Sequence, residues 1–319
     1  MAGGCPIGSV ALLTDVERSQ PGSDRRAHVA HVTPLGHAGG VTTDVLRAPL
    51  RAEVLREQLV EANRWVRLDV VERTGSTNTD LAGAARAGAP DRSVLIAEEQ
   101  TAGRGRQQRD WTSPKGAGLY LSVLLRPPVP AQRVGWLPLL AGVVLAEVID
   151  ELTGVDAAVK WPNDLLVGPR RGKCAGILAE VVATQPEPAV VVGVGLNVSH
   201  RQEELPVGPG GLPATSLAIE GVTNTSREHL AIGFLRHLAT AEAAWRAANG
   251  DAESSGLRAA YAQVCATIGQ EVRVALPDGG ELRGTAVDVD ADGRLVVRDA
   301  AGELRAVAAG DVVHVRPLE

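Results

Sequence analysis

The stretch Arg171-Gly-Lys-Cys-Ala-Gly-Ile-Leu-Ala-Glu, followed closely by Val190-Val-Val-Gly-Val-Gly-Leu-Asn-Val, reads as two neighbouring β-strands, at 174–183 and 189–198. Both are almost wholly apolar, as strands buried in a sheet are. The glycines inside them mark places where a ligand or another backbone comes close. Working outward, Val159-Lys-Trp-Pro-Asn-Asp-Leu-Leu-Val is a strand, a Pro-Asn-Asp turn and a second strand, the first covering 156–160. Leu139, Val143, Val144, Val148 and Leu152 recur at helical spacing and predict an amphipathic helix. Further strands are expected at 118–126 and 93–98, and Val66-Arg-Leu-Asp-Val-Val alternates like one. Between these, Thr77 with Asp80 three residues on predicts a capped helix ending near Gly88. Leu50, Val54, Leu55, Leu59 and Val60 predict a helix near the start of the ordered chain.

Downstream, a helix boxed by Thr225 and Glu228 runs through Leu230, Phe234, Leu238 and Trp245. Helices and strands alternate irregularly, which favours an α+β fold with a mixed sheet over a doubly wound one. From Ile268 the texture changes. Turn signals at Pro277-Asp-Gly-Gly, Asp290-Ala-Asp-Gly and Asp299-Ala-Ala-Gly separate short alternating runs such as Glu271-Val-Arg-Val-Ala-Leu. This predicts a small all-β barrel. The expected organisation is therefore a poorly ordered extension over 1–44, a ligand-binding domain over 45–267 and the barrel over 268–319. His28, His31 and His37 in the extension are read as solvated.

The chain has 319 residues, 32 basic against 38 acidic, and a formal net charge of −6. That balance argues against nonspecific binding to duplex nucleic acid. The three cysteines, Cys5, Cys174 and Cys265, show no CxxC spacing, so neither a disulfide framework nor a structural zinc site is expected. No apolar run approaches bilayer length and no signal-peptide core is evident, so the expectation is a cytoplasmic protein without a membrane partner.

Four segments carry chemistry. In Gln100-Thr-Ala-Gly-Arg-Gly-Arg-Gln-Gln-Arg-Asp-Trp, Arg104, Arg106 and Arg109 concentrate forked cations on a glycine-rich backbone, suited to a phosphate or carboxylate; a solvated basic loop is the competing reading. Asn163 and Asp164 sit in a turn where such residues are common for purely structural reasons, and Asp164 gains a chemical role only if it faces the arginine loop. Lys173, at the mouth of its strand, either snorkels to water or points into a cavity, where it would stabilise charge on phosphorus. Asn197 ends the glycine-bearing strand with both a donor and an acceptor, as an adenine edge requires, while Cys174 reads as packing.

Taken in order, Gly75-Ser-Thr-Asn, Gln100-Thr-Ala-Gly-Arg-Gly-Arg, Trp111, Lys160-Trp-Pro-Asn-Asp, Lys173-Cys-Ala-Gly-Ile-Leu, Gly193-Val-Gly-Leu-Asn and Ala214-Thr-Ser-Leu resemble the biotin protein ligases over roughly residues 50–319. The resemblance implies a mixed central sheet flanked by helices, like that of class II aminoacyl-tRNA synthetases, with an SH3-like C-terminal barrel. It implies ATP-dependent formation of biotinyl-5′-AMP with Mg²⁺, then transfer to a lysine of a biotin carboxyl carrier domain. The biotin site it implies comprises Ser76, Thr77, Asn78, Gln100, Gly103, Arg104, Lys173 and Gly176. The ATP and adenylate site comprises Arg106, Arg109, Trp111, Asn163 and Asn197, and the implied catalytic groups are Lys173, Arg106 and Asp164. No metal-ligand set is apparent, and the oligomeric state is left open.

One departure is Gln108, where the family loop usually carries glycine; a positive φ there would cost roughly a kcal/mol or shift the loop. Residues 203–211 are expected to be mobile and to order over the adenylate. A lipoate ligase is the nearest rival, but Ser76 and Gln100 suit a ureido ring, and lipoate has none. The region before Pro49 shows no helix pair and no basic stripe, so no DNA-binding domain is expected. A catalytically silent scaffold is disfavoured by Lys173, Asp164 and the arginines occurring together.

Overall fold

The computed structural model describes residues 47–206, 213–276, 280–308 and 311–314, all within one compact unit. The expectations for 1–44, for 207–211 and for the turn at Pro277 lie outside the described residues. Twelve strands are described: β1 Arg67–Val71, β2 Ser93–Ala97, β3 Gly118–Leu125, β4 Ala157–Lys160, β5 Asp164–Val167, β6 Gly172–Val182, β7 Ala189–Asn197, β8 Glu271–Ala275, β9 Glu281–Val289, β10 Leu295–Arg298, β11 Leu304–Val307 and β12 Asp311–His314. The helices are α1 Ala52–Arg56, which runs on as a π-helical turn Glu57–Glu61, α2 Thr77–Arg86, α3 Trp136–Thr153, α4 Arg227–Ala247 and α5 Leu257–Val264. The first seven strands form one mixed sheet, ordered β1-β2-β3-β7-β6-β5-β4, in which β1 and β2 run parallel and the other pairs antiparallel. The last five form an antiparallel sheet ordered β11-β10-β9-β8-β12.

Strand β7 shows how the sequence builds the sheet. Val190, Val192, Val194 and Leu196 alternate onto one face and join the main core. That core also contains Leu119, Leu121 and Val123 of β3 and the buried residues of α3 and α4. The other face of β7 carries Val191, Gly193, Gly195 and Asn197. Here Leu81, Ala82 and Ala85 of α2 pack on Leu124 and Val191 in a smaller cluster. Helix α2 therefore covers one end of this face, and its N-terminus stops over Gly193, where a Cβ would collide with Asn78. In register, Gly176 of β6 lies opposite Gly195 and Leu178 opposite Gly193. The uncovered end of the face is thus paved with backbone.

The helices depart from expectation in four places. Helix α3 is buried almost all round, from Trp136 to Ile149, because sheet, helices and barrel enclose it. The N-cap of α2 is Ser76 rather than Thr77, and it makes no capping bond. Thr77 instead bonds Gln100, while Asp80 takes the hydroxyl of Thr74. Helix α4 is capped by Ser226, which accepts the His229 N–H at 3.2 Å. Glu228 cannot close the box because Arg51 holds its carboxylate through both backbone and guanidinium. Helix α5 was not foreseen.

The barrel is joined to the main sheet at Ala266, whose N–H bonds Val159 O at 2.8 Å. Two tryptophans reach into its turns: Trp136 Nε1 donates to Ala291 O at 2.9 Å, and Trp161 Nε1 to Gly293 O at 3.1 Å.

Candidate functional site

The open end of the sheet face is the floor of a cleft of about 1210 Å³. Its walls are the N-terminus of α2, the arginine segment, the Pro162–Asp164 turn, Lys173 and the rim of the barrel. Of the residues expected in the site, Ser76, Thr77, Asn78, Gln100, Arg104, Arg106, Arg109, Trp111, Asn163, Asp164, Lys173, Gly176 and Asn197 all line it. Gly103 does not. It is buried behind the wall, where a Cβ would stand 2.6 Å from Trp111 O, so it serves close packing within the loop.

One end of the cleft is a hydrogen-bonded polar cluster. The Thr77 N–H and hydroxyl donate to Gln100 Oε1 at 2.9 and 3.1 Å, and Gln100 Nε2 donates to Ser113 Oγ at 3.1 Å. Beneath them, Ser122 Oγ donates to Asn78 Oδ1 at 2.7 Å and lies 2.8 Å from Thr77 Oγ1. Asn78 Nδ2 in turn donates to Glu180 Oε2 at 2.7 Å and Leu178 O at 3.2 Å. Ser113, Ser122 and Glu180 were not singled out from the sequence. The available signal for Ser122 was a serine on an otherwise apolar and aromatic strand, Leu119-Tyr-Leu-Ser-Val, where a buried polar atom must be partnered.

The arginine segment folds as a short hairpin. Trp111 N–H bonds Gly103 O at 2.9 Å, the backbones of Arg104 and Asp110 face each other in an antiparallel β-bridge, and Gly105 N–H bonds Arg109 O at 2.7 Å. Its tip is the 3₁₀ turn Arg106–Gln108, and the left-handed residue of that turn is Gln107, with φ 54°. The conformational demand expected at Gln108 therefore falls on its neighbour. Arg109 Nη2 donates to Gln107 Oε1 at 3.0 Å across the tip. The hairpin delivers Trp111 onto the glycine floor. A Cβ on Gly176 would be 3.0 Å from Trp111 Cζ3, and one on Gly195 would be 2.6 Å from Cε2. The indole N–H is buried there without a hydrogen-bond acceptor.

At the other end Lys173 Nζ pairs with Asp164 Oδ1 at 2.6 Å and lies 5.7 Å from the Trp111 ring centroid. Lys160 Nζ stands 3.9 Å from the second oxygen of Asp164. Both partners are fixed from behind. Asn163 Nδ2 donates to Ile177 O at 3.1 Å, and Ile177 N–H returns a bond to Asn163 O at 2.9 Å, tying the turn to β6. The backbone of Lys173 pairs with Pro213 O and Thr215 N–H. Asn197 Nδ2 donates to Thr215 O at 2.9 Å, so the amide nitrogen expected to read adenine supports the strand beside Lys173. Cys174 packs in the core, its thiol donating to Asn197 O and pushed up in pKa by burial, as expected of a packing residue. The barrel adds Gln270, Arg273, Val313 and His314 to the wall, a contribution the sequence reading did not anticipate.

Chemically, the cleft offers a polar end for a hydrogen-bonding head group, a backbone floor for a slender chain and a cationic end for anions. Residues 70–197 match the Biotin/lipoate A/B protein ligase family, and residues 267–315 match the Biotin protein ligase C terminal domain. A biotin–(acetyl-CoA-carboxylase) ligase of Mycobacterium tuberculosis is 47% identical over 279 residues, 86% of this chain and 98% of that protein. The chain belongs to the biotin protein ligase family. A biotin protein ligase family member from Paracoccus denitrificans is 33% identical, covering 73% of this chain and 95% of its own length. The fold is shared with the biotin protein ligase of Aquifex aeolicus in complex with biotin and ATP, at a TM-score of 0.63 and 24% identity, covering 79% of this chain and 99% of that one. Among the described residues of this biotin protein ligase, no three His, Cys, Asp or Glu side chains are grouped to hold a metal ion. No described helix is long and apolar enough to cross a membrane.

Proposed function

We propose that the chain joins biotin to ATP as biotinyl-5′-AMP with release of pyrophosphate, then transfers the biotinyl group to a lysine of a biotin carboxyl carrier domain. The observation that carries this reading is Lys173, paired with Asp164 at 2.6 Å, at the cationic end of a glycine floor whose far end is the Thr77–Gln100 cluster. The ureido ring belongs at the polar end, beside Ser76, Thr77 and Gln100. The valeryl chain lies along Gly176, which brings the carboxylate to Lys173.

The first step puts two anions in contact, as a carboxylate oxygen attacks the α-phosphorus and pyrophosphate leaves. Lys173 bridges the two, and Arg106 and Arg109 screen the phosphates. Arg104 braces the biotin end, and Trp111 with Asn163 and Asn197 borders the adenylate. Mg²⁺ arrives as part of the nucleotide substrate, bound to phosphate oxygens. The mixed anhydride hydrolyses readily, and the Gly103–Trp111 hairpin excludes water from it. In the second step the acceptor amine attacks the acyl carbon and AMP departs. Asp164 orients the amine and takes its proton as the amide forms. The reading extends to a cytoplasmic enzyme whose partner is the carrier domain of a biotin-dependent carboxylase, with no nucleic-acid or membrane partner.

Biotin-dependent exchange of labelled pyrophosphate into ATP tests this. Exchange with biotin, none with lipoate, and near-complete loss in Lys173→Ala are expected. Exchange with lipoate in place of biotin, or none with either acid, would overturn the reading.

A further inference from the structure

The Pro162–Asp164 turn is held from two sides. Its far side carries Asp164, paired with Lys173 across the cleft. Its near side begins at Trp161, which is 1% exposed and engages residues of the barrel region twice. The Trp161 N–H donates to Thr267 Oγ1 at 3.0 Å, and the indole N–H donates to Gly293 O in the β9–β10 turn at 3.1 Å. Thr267 is fully buried, and its hydroxyl also lies 3.1 Å from His314 Nε2 on edge strand β12. His314 is a wall residue of the cleft. Burial and nearby Lys160 push its pKa down to about 4, so it is uncharged near neutrality and adds no third cation beside Asp164. Its partner hydroxyl therefore sits between a cleft-wall residue and the backbone that starts the turn.

We infer that the C-terminal barrel positions Asp164 for the transfer half-reaction, with Thr267, His314 and the Gly293 carbonyl as the positioning contacts. This rests on the ligase reading above and extends it to the second step. Between Trp161 and Asp164 only two residues of a tight turn intervene, Pro162 and the β6-tied Asn163, so a shift at Trp161 is passed to the carboxylate. The backbone of Lys173 has a second anchorage besides Leu166 of β5, through Pro213 O and the Thr215 N–H, so adenylate formation depends less on the barrel even though its ammonium pairs with Asp164. A misplacement of a fraction of an ångström at a positioned group costs about tenfold in rate.

The test measures the two half-reactions separately on the full-length chain: biotin-dependent pyrophosphate exchange, and single-turnover transfer from preformed biotinyl-5′-AMP to a purified biotin carboxyl carrier domain. Thr267→Val keeps the side-chain shape and removes the hydroxyl, Thr267→Ser restores it, and Trp161→Phe removes the indole N–H that reaches Gly293 together with part of a buried ring. Thr267→Val and Trp161→Phe are expected to slow transfer about tenfold while exchange changes by no more than about twofold, and Thr267→Ser is expected to restore transfer. Transfer at the wild-type rate in Thr267→Val and Trp161→Phe overturns the inference. So does an equal fall in both half-reactions, which marks a general structural defect. A wild type that exchanges no pyrophosphate overturns the ligase reading itself, and is distinguishable because it fails before any variant is compared.

Discussion

Gly195→Ala probes the glycine floor directly. The backbone of Gly195 lies outside the left-handed region, so alanine is acceptable in conformation and only its methyl matters. That methyl would stand 2.6 Å from Trp111 Cε2 and 3.0 Å from Cζ2, where ordinary contact begins at 3.4 Å. Trp111 Nε1 would be closer still, so either the indole retreats by about 1 Å or the floor buckles; overpacking of this kind costs about 1–3 kcal/mol. If the biotin chain uses the same floor, the methyl also narrows its channel. The expected loss of biotin affinity is then of the order of tenfold, at 1.4 kcal/mol per decade. Titration calorimetry measures the affinity, and acrylamide quenching of tryptophan fluorescence follows the indole. Trp65, Trp136, Trp161 and Trp245 are at most 3% exposed, so a change in quenching reports Trp111. Gly83→Ala is the control: it lies in α2 with nothing within 4 Å of a new Cβ, and should leave both readouts unchanged. Unaltered biotin affinity and quenching in Gly195→Ala would refute the placement of ligand and indole on the floor.

Ser122→Ala removes the hydroxyl beneath Thr77 and Asn78; leaving Asn78 Oδ1 unpaired costs about 1–3 kcal/mol, expected as a higher KM for biotin with little change in KM for ATP. Arg227→Met breaks the buried pair with Glu98, 2.7 Å apart, and abandons a carboxylate that also accepts the Leu50 N–H, so urea unfolding should show a loss of about 3–5 kcal/mol. His200, buried against Tyr120, has its pKa pushed down to about 4, mainly by burial. The unfolded chain then takes up this proton first, so stability is intact above pH 6.5 and falls as the pH drops toward about 4. The drop amounts to about 3 kcal/mol per histidine. His314 contributes in the same window, so His200→Gln should reduce the slope of stability against pH without abolishing it. An unchanged slope would contradict the buried neutral state.

Much of this was legible in the sequence because two signals are strictly local. Alternation along Ala189–Asn197 separates a valine face from a glycine face, and the turn residues at Asp290 and Asp299 space the barrel strands. The cationic residues Lys173, Arg106 and Arg109 stand out because they interrupt glycine-rich or apolar surroundings. What escaped depends on distance in the chain. Glu180 supports Asn78 across 102 residues, and His314 meets Thr267 across 47, so no window of the sequence contains either pair. The capping box at Thr225 failed for the same reason, since Arg51 claims Glu228 from 177 residues away. Gln108 drew attention by comparison with a pattern, whereas the turn assigns its left-handed position to Gln107.

The short approach to α1 is tied to three distant carboxylates, two by ion pairs and one by a backbone hydrogen bond. Arg47 binds Glu204 at 2.6 Å, Leu50 N–H binds Glu98 at 2.6 Å, and Arg51 binds Glu228 at 2.5 Å. These carboxylates belong to three separate parts of the molecule, so five residues act as a moorage to which the chain before them is tied. A tag or foreign domain grafted upstream of Arg47 would pull on a fixed post. A chain trimmed back to Ala52 would cast off all three lines at once.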